Sequence, residues 1–270
     1  MKISKLARRD FLLRAGGALA VPLLARPCVV PALPAEQTAK GFRGIFAILQ
    51  TPFTLGDQMD EEDLERELNF CVKARAQGVV WPQLYGEFNV LSEAERLRGA
   101  EILLRTPRGG AAAVIGVQAP DRETAVRLAR HAEAKGADAV ISLPPYHRSV
   151  TLDAVADYYR SIAGAVRLPV LARGSSGTMP ACEFVDVDVR IYNLAAAGEM
   201  AEARALFEKL LPMINLEETY GIGFAKAVLV RRGIFKTAKR RGIPELKVLD
   251  SADEQEMEGW WRDLVPYLTV

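Results

Sequence analysis

Histidine is nearly missing from this chain of 270 residues, and cysteine is scarce, with two of the first and three of the second. No Cys-x-x-Cys and no Cys/His cluster occurs, so zinc and redox motifs are excluded, and two histidines cannot make an all-histidine metal site. The same count excludes a disulfide-dense small scaffold. No G-x-G-x-x-G follows the first strand-like run and no G-x-x-x-x-G-K-[ST] appears anywhere, which removes the usual nucleotide signals. The apolar stretch Ala15–Ala25 falls short of the ~20 residues a membrane span needs, so no stable membrane anchor is expected. Lysine is absent between Lys135 and Lys209. The central part of the chain therefore offers no side-chain amine for carbonyl chemistry.

Half of the residues are hydrophobic and 26% are charged, enough for one well-buried domain or at most two small ones. The formal charge of +1 hides an asymmetry, because residues 1–35 carry six Lys/Arg and one Asp. The remainder has 29 basic against 33 acidic residues, a mildly acidic body with no electrostatic call for nucleic acid. Lys2, Lys5, Arg8, Arg9 and Arg14 precede the apolar stretch, and Leu33-Pro34-Ala35 is a loose small-residue cleavage site. Arg8-Arg9-Asp10-Phe11-Leu12 resembles a bacterial twin-arginine signal, with Ala7 where Ser or Thr is usual. Residues 1–35 are thus expected to direct export, to the periplasm, and 36–270 to form a single domain. Cys71 and Cys182 sit among apolar neighbours and are expected to be buried free thiols.

From Gly41 onward, short β-branched runs alternate with amphipathic stretches. Strands are predicted at 44–49, 79–81, 111–117, 137–143 and 168–172. Helices are predicted from Asp60, from the Ser92/Glu95 capping box, from Asp121 and from Thr151 or Asp153. After Arg173 the segment 174–181 is a small-residue loop or weak strand. Everything beyond is helical, with predicted helices over 184–197, 201–213, 223–232 and 253–264. The basic run Lys236–Arg241 lacks interleaved aromatics and is expected as a solvated face or loop. Successive βα units indicate one parallel sheet, for which a doubly wound sheet and a (β/α)₈ barrel compete. Polar residues at several strand ends (Gln50, Thr51, Gln83–Glu87, Gln118, Tyr146, His147, Arg173) suit a barrel.

Several of these segments resemble the dihydrodipicolinate synthase and N-acetylneuraminate lyase family, class I pyruvate-type aldolases. Ile48–Phe53 is similar to that family's first-strand segment ending in Thr-Pro-Phe, and Leu84–Phe88 to its Gly-Thr-Thr-Gly-Glu loop. Ile115–Val117 is similar to the third strand, and His131–Tyr146 to the fourth unit. The resemblance implies a TIM-barrel-type (β/α) fold and a lysine enamine formed with a 2-oxo acid such as pyruvate, without metal or organic cofactor. Gly174–Ala181 resembles the eighth strand. By that resemblance strands six and seven and their helices are absent, a gap of roughly sixty to seventy residues against the family, about two βα units. The missing part would include the proton-relaying tyrosine after strand five and the Schiff-base lysine of strand six.

An incomplete barrel of about six of eight units is therefore expected, with extra C-terminal helices and an open edge that a second copy would cover. Tyr146 and His147 are the candidate catalytic pair, His147 standing where the family has a second tyrosine. Thr51, Tyr85, Gly86, Glu87 and Arg173 are the candidate substrate-binding residues. Leu84 and Tyr85 replace the family's paired threonines, and Lys226 matches a family lysine that is not the Schiff-base former. No metal site is expected: Glu87 has no partner at ligand spacing, and Asp186 and Asp188 point to different sides of a helix. The expected activity is an aldolase-type lyase impaired by loss of its lysine. The alternative is a non-catalytic small-acid binding or scaffold protein.

Overall fold

In this computed structural model, residues 42–145, 151–167, 176–241 and 250–270 are described. The export segment expected at 1–35 and the strand expected at 168–172 lie outside them. The chain begins with β1 (Arg43–Ile48), α1 (Glu61–Lys73), β2 (Gly78–Trp81), α2 (Glu93–Arg105) and β3 (Ala112–Gly116). It continues through α3 (Arg122–Ala134), β4 (Ala139–Ile141), α4 (Leu152–Ala165) and β5 (Ser176–Thr178). Four helices end it: α5 (Val185–Ala196), α6 (Met200–Tyr220), α7 (Ile222–Arg231) and α8 (Ser251–Leu264).

Local chemistry starts the first four helices where the sequence places them. The Asp60, Ser92, Asp121 and Thr151 side chains each accept a backbone N–H of their own first turn. Ser92 and Glu95 close a reciprocal capping box. Leu64, Leu68 and Cys71 of α1 and Ala125, Leu128, Ala129 and Ala132 of α3 are buried, giving each helix an apolar face against the sheet. β2 and β3 are buried along their whole length, as parallel strands covered on both sides must be. Alternation sends Ile45, Ala47, Val79, Trp81 and Ile115 toward the helices, while Phe46, Val80, Ala112, Val114 and Ala139 form a separate cluster on the other face.

The five described strands are parallel in the order β4-β3-β2-β1-β5. β5 pairs with the edge of β1 opposite β2, Arg43–Ile45 against Ser176–Thr178. The backbones approach so closely that a Cβ on Gly177 would fall 1.9 Å from the Gly44 carbonyl oxygen. In a closed eight-stranded barrel that edge of the first strand belongs to the eighth. Only ten residues, 166–175, separate α4 from β5. The architecture is an open, incomplete (β/α) barrel with extra C-terminal helices.

The C-terminal helices have a core of their own, built on Phe184, Leu206, Leu210, Met213, Phe224, Val228 and Leu264. α6 runs past the predicted end at Met213 despite Pro212, because Met213 and Leu216 continue its buried stripe. No described helix is long and apolar enough to cross a membrane.

Candidate functional site

Polar side chains gather where β1, β2 and β5 end. Thr51, fully buried, donates to the Gly86 carbonyl (2.6 Å) and accepts from the Trp81 indole (3.0 Å), so its hydroxyl braces the loop after β2. At Gly86 a Cβ would stand 3.0–3.1 Å from Gln83 N, Leu49 O and the Pro82 Cα, a close approach that favours glycine. Half-buried Tyr85 stands near Glu217 of α6, and burial together with that carboxylate raises its pKa. Leu84 beside it is exposed.

Glu87 is neither a surface acid nor open to solvent. It is 2% exposed and sits at φ +49°, ψ +39°, a left-handed conformation that costs energy for a residue with a Cβ. Both carboxylate oxygens are engaged: Oε2 by the Lys226 ammonium and Oε1 by Arg240 Nε at 3.1 Å. Lys226 reaches it from α7 and is wholly buried. Its Nζ also donates to the Lys239 carbonyl (2.9 Å) and stands 4.6 Å from the centre of the Phe53 ring. Burial lowers the Lys226 pKa, and Glu87 pulls it back up. Removing one partner of such a buried pair typically costs ~3–5 kcal/mol, because the other charge is left uncompensated.

The basic run Lys236–Arg241 is a loop, as expected, but a tethered one. Lys236 pairs with Asp60 (3.1 Å) and Glu62 (2.7 Å), and Lys239 donates to the Leu55 carbonyl (2.7 Å). Arg241 pairs with Glu95 (2.8 Å) and lies 4.3 Å from the centre of the Phe53 ring. The run clamps the C-terminal part of the chain to the loops after β1 and β2.

A second group of acids gathers nearby, of which Glu67, Glu183 and Glu217 escaped the sequence reading. Glu67 of α1 accepts the Gln50 N–H (2.8 Å) and the Cys182 thiol (2.8 Å), and burial pushes its pKa up to about 8. Glu183, in the turn after β5, lies 3.5 Å from the Gln50 amide and in contact with Glu217. Burial and the Glu217 charge push Glu183 well above the carboxylate range, and burial raises Glu217. Asp188 is pushed up to about 8 by burial and by Glu217, while Asp186 turns away to Arg232 (2.7 and 2.9 Å), as an i, i+2 pair must. One signal could have found Glu67: it stands three residues after Leu64 and four before Cys71, on the apolar stripe of α1. Among the described residues no three His, Cys, Asp or Glu side chains are grouped to hold a metal ion. Tyr146, His147 and Arg173 lie outside the described residues.

Residues 41–172 match the dihydrodipicolinate synthetase family. The chain matches this family. Similar family proteins include a probable 2-dehydro-3-deoxy-D-pentonate aldolase of Escherichia coli K12, 32% identical over 49% of this chain and 44% of its own length. A 4-hydroxy-tetrahydrodipicolinate synthase of Phenylobacterium zucineum is 30% identical over 63% of this chain and 59% of its own. The chain thus spans about half the length of the curated relatives it matches. A prophage protein of the dihydrodipicolinic acid synthase family from Escherichia coli K12, solved in complex with pyruvate, shares the fold at a TM-score of 0.72. It is 17% identical, over 83% of this chain and 99% of that one.

The buried acids give stability a definite pH dependence. In the folded protein Glu67 and Asp188 keep their protons up to about 8, whereas their ordinary values are 4.5 and 3.8. Their contribution is complete below those ordinary values and is lost as pH rises through 8. Each acid removes about 1 kcal/mol per pH unit within that window. The thermal midpoint is expected to fall from pH 5.5 to 7.5, and less steeply in Glu67→Gln; a flat or rising profile contradicts the assignment.

Proposed function

We propose that this chain is an impaired aldolase-type lyase of the dihydrodipicolinate synthetase family, built to receive a 2-oxo acid such as pyruvate but unable to form an enamine with it. The carrying observation is the enclosure of Lys226 by Glu87, Lys239 and Phe53. β5 in the eighth strand's place, ten residues after α4, supports a barrel without the strand that bears the family's Schiff-base lysine. In this reading Tyr146 and His147 move protons and Arg173 holds the substrate carboxylate. Pyruvate in the solved prophage relative supports the ligand class.

Borohydride reduction of the full chain with labelled pyruvate tests the reading. No covalent label is expected. A reduced adduct on any lysine overturns it, and saturable pyruvate binding without adduct favours a small-acid binding protein over a residual lyase. We also propose that residues 1–35 direct export by the twin-arginine route. Exchanging Arg8 and Arg9 for lysine is expected to keep the chain in the cytoplasm; undiminished export overturns that reading.

A further inference from the structure

Cys71 and Cys182 are far apart in sequence, and both are completely buried. Cys71 lies on α1 one turn beyond Glu67, on the same helix face. Cys182 opens the short turn that follows β5. Its thiol donates to Glu67 Oε1 at 2.8 Å, which brings it beside Cys71, one turn along the same helix face and in the same buried cluster. Two thiols from distant segments thus flank one carboxylate in the wall between α1 and the ends of β1 and β5.

We propose that Cys71 and Cys182 are a disulfide site that braces the shortened barrel where β5 closes onto β1. β5 has only three register pairs with β1 and the Ile48–Ala181 bridge to hold it. A bond from α1 to the turn behind β5 fixes that closure covalently and restricts the unfolded chain over a very long loop. In the oxidation both S–H bonds break and one S–S bond forms. The two electrons and two protons pass to a disulfide-bearing oxidant, whose own S–S bond breaks to give two thiols. An export compartment supplies oxidants of that class. Burial makes the exchange wait for local opening, so it is slow in the folded protein.

The test incubates the full chain with oxidised glutathione for days, with and without low urea, then alkylates free thiols under denaturing conditions and maps peptides. The expected product is one peptide pair joined through Cys71 and Cys182, separable by dithiothreitol, with the oxidised protein melting several degrees above the reduced form. Cys71→Ser, or Cys71→Ala should the serine variant not fold, is expected to melt alike in both redox conditions. Alkylation of both cysteines after incubation, separate glutathione adducts on each, or linkage to Cys28 instead overturns the site. A linked protein with an unchanged midpoint overturns the bracing role.

Discussion

The buried ion pair between Lys226 and Glu87 joins the two parts of this molecule. Glu87 belongs to the loop after β2 and Lys226 to a helix 139 residues later. Two charges taken out of water demand mutual partners, so the loop and the helix cannot separate without exposing an uncompensated ion. The same contact holds Glu87 in its left-handed backbone conformation. It also engages the amine on every side, with a carboxylate, a carbonyl and an aromatic ring around it.

Around that pair the sheet end has become a structural junction. Thr51, Gly86 and Trp81 stabilise the β2 loop, and Arg240 and Arg241 hold the C-terminal run against it. Glu67, Cys182 and Gln50 tie α1 to the ends of β1 and β5. Carboxyl groups that stay protonated near neutrality are the consequence, since burial without a cation favours the neutral acid. Among the described residues the sheet ends at β5, a three-residue strand.

Much of the fold was legible because its determinants are local. Asp60, Ser92, Asp121 and Thr151 announce helices by capping chemistry, and the apolar run at 112–116 announces a buried parallel strand. The end of α6 was not legible, because Pro212 signals a break that tertiary burial of Met213 and Leu216 overrides. β5 carries no strand periodicity in Ser-Gly-Thr, and only the resemblance to an eighth strand pointed to its place beside β1. The site was the least legible part. Whether Glu87 faces solvent, ligand or lysine depends on a partner from another helix, and no spacing in the sequence encodes that meeting. Likewise the clamp by Lys236–Arg241 follows from acids on α1 and the neighbouring loops, not from its own composition.

The state of the Lys226 amine is the point on which the account turns, and trace acylation of the native protein measures it directly. An acid anhydride in small amount, with labelling read peptide by peptide by mass spectrometry, compares Lys226 with half-exposed Lys135 and Lys236. The account predicts that Lys135 and Lys236 react while Lys226 stays unmodified until the protein is unfolded. Acylation of Lys226 in the folded protein at a rate matching Lys135 would contradict it.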